Sequence, residues 1–207
     1  MPKYEYRKIF HRHPQPINFG TLVYMEEKKG PWTVKSTEVK YKNPWIEVRE
    51  DKVIRPDGKD GICGVVTMKS GVTVLPYDSE GNVYLAEGYH YATERVAVEV
   101  PGGGIDGGES VLEAAKRELQ EEMGLVAAQW TDLGFIDPFT MVIASPNFLY
   151  LARDLTKGDS NQEGTENIRL LKVPFEEALA WAMSGKISHG ASVAVILKTA
   201  LLLKEGK

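Results

Sequence analysis

Glu118, Glu121 and Glu122 place three carboxylates within one and a half turns of a helix, inside the run EVPGGGIDGGESVLEAAKRELQEEMGL from Glu99 to Leu125. Like charges at helical spacing destabilise an isolated helix by roughly 0.2–0.5 kcal/mol per pair. A chain shaped only by stability has no reason to gather them beside an apolar stripe, so a cation is expected there. Arg117 answers in part, because four-residue spacing brings it to Glu113 and Glu121, but it does not serve the whole cluster. A hard divalent cation such as Mg²⁺ takes carboxylate and carbonyl oxygens, keeps waters and is completed by substrate phosphates. The glycines just before the helix suit that chemistry, since they let the backbone turn tightly enough to aim a carbonyl at an ion. Ala114, one turn before Glu118, is read as leaving room for a ligand.

The elements that must hold these groups are well punctuated. Ser110 and Glu113 form a capping box at the start of a helix over 110–123, and Gly124 is placed to end it in a left-handed conformation. Leu112, Ala115, Leu119 and Met123 share the stripe that buries against a sheet. Upstream, ICGVVTM, GVTVLPYD, VYLAEGYHYA and VAVEVP read as strands, with a tight turn at SEGN. Downstream, AQWTDLGFI, NFLYLARDL and IRLLKVP read as strands around the loop TKGDSNQEGTEN, followed by helices in FEEALAWAMSG and ASVAVILKTALLLKE. Strands, helix, strands and helices in that order predict an α+β layering around a mixed sheet. Alternating apolar positions from Thr33 to Ile54, broken at Pro44, add an N-terminal β appendage over 1–55, leaving 56–207 as the main domain.

Composition removes several classes. The 207 residues carry 25 Lys and Arg against 29 Asp and Glu, a formal charge of -4, so the chain lacks the basic surface that duplex nucleic acid or an anionic membrane requires. The apolar run ASVAVILKTALLL is too short to span a bilayer and is interrupted by Lys198, and the N-terminus has no secretory h-region; a cytoplasmic location is expected. Cys63 is the only cysteine, which excludes an intrachain disulfide and a thiolate zinc cluster, and it reads as a small apolar residue. Gly102, Gly104 and Gly107 satisfy the bare G-x-G-x-x-G pattern, but hairpins precede it instead of a βαβ unit, so a dinucleotide site is rejected. His11, His13 and His189 lack ligand spacing and are expected to have ordinary surface or packing roles.

The run GGIDGGESVLEAAKRELQEEMGL resembles the signature box of the Nudix hydrolases: Gly103, Glu109, Arg117, Glu118, Leu119, Glu121, Glu122, Gly124 and Leu125 fill every specified place. The resemblance implies an α/β/α sandwich with a mixed sheet and a divalent-metal-dependent hydrolysis, with Mg²⁺ as cofactor and Mn²⁺ able to substitute. It implies Glu118 and Glu122 as metal ligands, Glu121 assisting in binding and catalysis, and the Gly102 carbonyl contributing. Gly103, Glu109, Arg117 and Gly124 are then architectural, with Arg117 and Glu109 fixing the loop and helix by ion pairing.

LPYDSEGNVYLAEGYHYA, VEVPGGGIDGGES and the C-terminal helices are similar to the ADP-ribose and nucleoside diphosphate sugar pyrophosphatase branch. That similarity implies cleavage to a nucleoside monophosphate and a sugar phosphate by in-line attack of water on phosphorus, and a homodimer whose N-terminal strands reach the partner's site. It also implies substrate contacts from His90 and Glu99. Trp45 sits where the branch has an aromatic that stacks on the base, and packing on an interstrand face is the other reading of it. The branch takes its general base from an acidic loop after the box, which here makes Glu166 the first candidate and Glu163 the second. The chain differs from the branch in carrying His90 in place of an arginine, Val98 in place of a tryptophan and Asn147 in place of a glycine. Rival readings are a dinucleoside polyphosphate or coenzyme A pyrophosphatase, and a non-catalytic nucleotide-sensing module; an isomerase would need a catalytic cysteine that Cys63 does not supply.

Overall fold

The structure, a computed structural model, describes residues 22–158 and 168–206. The chain divides into two compact units, residues 1–68 and 69–207.

The described part of the first unit is an antiparallel meander of β1 (Leu22–Lys29), β2 (Trp32–Lys42), β3 (Ile46–Ile54) and β4 (Asp60–Met68), paired in chain order. Breakers in the sequence set its turns. Gly30 supplies a left-handed residue between β1 and β2, and the Asn43 side chain accepts the N–H groups of Trp45 and Ile46 at 2.9 and 2.8 Å, an Asx turn that closes the second hairpin. Val34, Val39 and Val53 are buried, as is Asp51, whose carboxylate accepts the Thr37 hydroxyl at 2.7 Å and faces Lys29 at 3.7 Å. Residues 55 and 56, the expected boundary, lie in the turn between β3 and β4, which pair from Ile46↔Met68 to Ile54↔Asp60. Cys63 is half-buried on β4 and forms no disulfide.

The second unit has the expected α+β layering. It comprises β5 (Gly71–Pro76), β6 (Asn82–His90), β7 (Arg95–Glu99), β8 (Gly102–Gly104), α1 (Val111–Met123), β9 (Leu125–Ile136), the two-residue β10 (Ile143–Ala144), β11 (Asn147–Lys157), β12 (Ile168–Pro174), α2 (Phe175–Ser184) and α3 (Gly190–Lys204). A four-stranded mixed sheet runs β8-β5-β11-β9, with β5 and β11 parallel and the other pairs antiparallel. An antiparallel sheet runs β12-β6-β7.

Alternation along the central strands divides the core between two faces. Val72, Val74, Tyr150 and Ala152 pack with Ala114, Ala115, Leu119 and Met123 of α1. Leu75, Leu149 and Leu151 pack with Phe175, Ala178, Val195 and Ile196 of α2 and α3. Between them, the helices cover both sides of the sheet. Among the described residues no helix is long and apolar enough to cross a membrane.

Candidate functional site

The site begins with a helix whose ends are fixed locally. The Ser110 side chain accepts the Glu113 N–H and the Glu113 carboxylate accepts the Ser110 N–H, while Gly124 closes the helix at φ 62° with its N–H on the Gln120 carbonyl. This capping sets the rotation of α1, and its apolar stripe then decides which carboxylates turn inward. Glu118 is 7% exposed, an acid carried to the edge of the core between Ala114, Ala115 and Leu119. Ala114 is itself fully buried against the sheet, so the room for a ligand expected beside it does not exist there.

The glycine run is not a loop throughout. Gly102–Gly104 form β8 and pair with β5 in the register Gly71↔Gly104, Val72↔Gly103 and Thr73↔Gly102. Close approach explains the residue type: a Cβ on Gly102 would run into the Val72 carbonyl oxygen, and a Cβ on Gly103 would overlap the Glu118 carboxylate. Glu122 meets the same strand, its carboxylate accepting the Gly102 N–H at 3.2 Å. Two helix carboxylates thus lie against two consecutive glycines.

Arg117 organises the rest, and more of it than the sequence suggested. Its Nε and Nη2 donate to the two Glu109 oxygens at 3.2 and 2.8 Å, Nη1 donates to Glu118 at 2.8 Å and Glu121 at 3.0 Å, and Nη2 also reaches the Gly104 carbonyl at 2.9 Å. All five guanidinium donors have acceptors. Glu113, expected as a partner of Arg117, is occupied by the capping box instead. Arg117 is held well above its ordinary value, chiefly by the Glu109 carboxylate, with burial opposing. Glu109 is held below the usual carboxylate range by Arg117 first and by the Asp106 N–H, donated at 2.6 Å, second. Lys69 pairs with Asp106 at 2.7 Å at the mouth of the same turn.

These residues fit a hard divalent ion. Glu118, Glu121 and Glu122 offer only oxygen donors, and the space next to the Glu118 carboxylate is one that any side chain on Gly103 would fill. Among the described residues no three His, Cys, Asp or Glu side chains converge on one position as they stand. The hydrogen bonds give the reason: Glu118 and Glu121 are turned onto Arg117 and Glu122 onto the Gly102 N–H, and an ion held by all three would need these carboxylates to turn.

The other residues singled out from the sequence fall in different places. His90 ends β6, and its Nε2 faces Glu99 Oε1 at 3.4 Å. Trp45 belongs to the first unit, in the turn between β2 and β3, and at 69% exposure it does not pack an interstrand face. Glu163 and Glu166 lie outside the described residues, as do His11 and His13. His189, expected in an ordinary surface or packing role, has its Nδ1 3.5 Å from the second Glu99 oxygen and 2.9 Å from Ser192 Oγ. No local spacing announces that contact, because ninety residues of chain separate its members; the His189–Ser192 pair at a helix start was the one available signal.

Comparison with known proteins adds the lineage. A family model described as the NUDIX domain matches residues 67–190, and one described as the nucleoside diphosphate sugar hydrolase N-terminal domain matches residues 32–66. An ADP-ribose pyrophosphatase of Bacillus subtilis (strain 168) is 28% identical over 150 residues, covering 69% of this chain and 78% of that one. A methanol dehydrogenase activator of Bacillus methanolicus is 25% identical over 173 residues, covering 79% and 89%. The crystal structure of an ADP compounds hydrolase matches with a TM-score of 0.76 at 20% identity, covering 87% of this chain and 98% of that chain, a likeness of fold alone. With the box residues assembled around Arg117 and β8, and the NUDIX model covering more than half of its length, the chain belongs to the Nudix family and is a Nudix hydrolase.

Proposed function

We propose that this enzyme hydrolyses the pyrophosphate bond of ADP-ribose or a related nucleoside diphosphate sugar, releasing a nucleoside monophosphate and a sugar phosphate. The observation that carries the reading is the meeting of Glu118 and Glu122 with Gly102 and Gly103 of β8, coupled to an N-terminal segment matching the nucleoside diphosphate sugar hydrolase type. The ADP-ribose pyrophosphatase relative supports the same substrate class.

A diphosphate brings about two negative charges to a site with three carboxylates, so close approach without a cation is repulsive. A divalent ion, Mg²⁺ with Mn²⁺ as substitute, supplies charge neutralisation and lowers the pKa of the attacking water. Glu118 and Glu122 are its proposed protein ligands, with Glu121 and the Gly102 carbonyl contributing. Arg117 keeps Glu118 and Glu121 at hand through Nη1, and Glu109 fixes Arg117 in turn. Glu166, and after it Glu163, is the proposed general base. Trp45 is the proposed base-stacking residue, with residues 1–55 as the appendage that carries it into the partner's site of a cytoplasmic homodimer.

The test is a Mg²⁺-dependent assay on ADP-ribose beside ADP-glucose, with products identified by mass. AMP with a sugar phosphate is expected. Silence on both substrates, with metal still bound, would sink the reading and favour the regulatory alternative, to which the likeness to a methanol dehydrogenase activator lends support.

A further inference from the structure

Glu99 is a carboxylate with unused hydrogen-bonding capacity. Its side chain is 26% exposed, and its contacts among the described residues are two imidazoles, His90 Nε2 at 3.4 Å from Oε1 and His189 Nδ1 at 3.5 Å from Oε2, close approaches rather than hydrogen bonds. An ionised carboxyl accepts about four hydrogen bonds, and one with about a quarter of its surface in water keeps the remainder open to solvent or to a ligand. Hydroxyl groups of a ligand can take the places that solvent would otherwise fill.

The surroundings are built to receive one. The β6–β7 register pairs Ala86 with Glu99, Gly88 with Ala97 and His90 with Arg95, so residues two apart put Glu99 and His90 on one face with only Gly88 and Ala97 between them. That floor has no side chain larger than a methyl group. On the far side, Ser192 is fully buried and its Oγ accepts the Val100 N–H at 2.9 Å, which leaves its own proton for His189 Nδ1, also at 2.9 Å. The His189 ring is thereby held by a core residue. Arg95 is tied to the Ser188 hydroxyl at 2.8 Å and closes one end. Both imidazoles remain about two-fifths exposed.

We propose that Glu99, His90 and His189 form a subsite for the vicinal hydroxyl pair of a sugar ring, with His189 as a specificity-determining residue supplied by the start of α3. The chemistry separates this ligand from a phosphate group: a carboxylate at the centre repels phosphate oxygens but accepts two hydroxyl donors, as acidic residues do for ribose hydroxyls in dinucleotide sites. With His189 Nδ1 taken by the Ser192 proton, that ring keeps its Nε2–H as a donor, and His90 offers one donor and one acceptor when neutral. Glu99 also precedes Gly102 by three residues, a reach of at most about 10 Å, which keeps a sugar at the subsite within one linkage of a diphosphate at β8.

The subsite rests on the diphosphate-sugar reading, and its test separates the two. KM is measured for wild type, His189→Ala and Glu99→Gln on ADP-ribose, on the methyl ester of ADP, which lacks the distal sugar, and on ADP-ribose with a 2′,3′-dideoxy nucleoside. Wild type is expected to raise KM about tenfold or more for one of the two truncated substrates, the size of a lost hydrogen bond to a charged group; which one identifies the ring that is read. Both variants are expected to lose that discrimination, while thermal melting and metal affinity show that the fold and the ion site persist. A variant that weakens all three substrates alike, or that keeps the wild-type ratio, would overturn the subsite and leave the hydrolase reading standing. Failure of wild type on every one of the three would overturn the diphosphate-sugar reading and the subsite with it.

Discussion

Gly102 gives its backbone N–H to the Glu122 carboxylate at 3.2 Å, tying the glycine strand to the helix that follows it. The bond holds the Glu122 carboxylate beside β8. Glu122→Gln keeps the size and an acceptor oxygen for Gly102 but removes the charge. Metal-dependent turnover is expected to fall at least a hundredfold, since a bound ion is worth several kcal/mol to the transition state, with circular dichroism and melting unchanged. Full activity in this variant would refute the ligand role.

Gly103→Ala separates backbone need from site need. Gly103 is not among the glycines with positive φ, so alanine suits its backbone, but the new methyl overlaps the Glu118 carboxylate. The carboxylate is the mobile end of its side chain and is expected to swing away. Folding should be disturbed by no more than about 1–2 kcal/mol, while metal affinity measured by calorimetry should fall about tenfold. Equal affinity would mean that Glu118 binds no ion.

Arg117→Lys tests the hub. A lysine brings three donors on a flexible stem to a place where five planar donors are matched. Glu109, whose low pKa depends on Arg117 first, loses its two-pronged partner. Urea unfolding is expected to show a loss on the order of 2–3 kcal/mol, and a loss under 0.5 kcal/mol would contradict the structural role.

Asp78 gives the fold an acid-sensitive point away from the box. Burial, the largest influence, pushes its carboxyl up, but Lys172 at 2.9 Å and the N–H groups of Asn82 and Glu80 outweigh it and hold the group at about 2. The same group titrates near 4 in an unfolded chain. Its contribution is therefore complete above about pH 4 and is lost as the pH falls toward 2. Asp78→Asn is expected to cost on the order of 1–2 kcal/mol at neutral pH and to flatten the decline in stability between pH 4 and pH 2. An unchanged acid profile would show that the turn between β5 and β6 does not depend on the charge.

What the sequence revealed tracks how local each interaction is. The limits of α1 were legible because Ser110, Glu113 and Gly124 act within one turn of the helix ends. The strands around it followed from alternation and turn residues. The Arg117–Glu109 ion pair came from the family resemblance and not from spacing, because the partners are eight residues apart across a turn that helical periodicity does not describe. β8 read as loop because three glycines have no strand preference of their own; its extended form comes from pairing with β5. Ala114 seemed to offer space only while the face of the sheet opposite it was unknown. The Glu99–His189 contact depends on where α3 lands, which no short window contains.

The parallel pairing of β5 with β11, Gly71↔Asn147 through Pro76↔Ala152, has a temporal consequence. α1 is capped by its own neighbours and can form early, but β5 gains its second partner only when a segment far along the chain arrives, and such non-local closure is slow. β8 lies on the other edge of β5. During synthesis, the ribosome must therefore release the chain through Ala152 before β5 can be paired along its whole length on the edge away from β8. A nascent chain that ends between Leu125 and Asn147 holds every box residue and still lacks the strand that flanks β5 opposite β8.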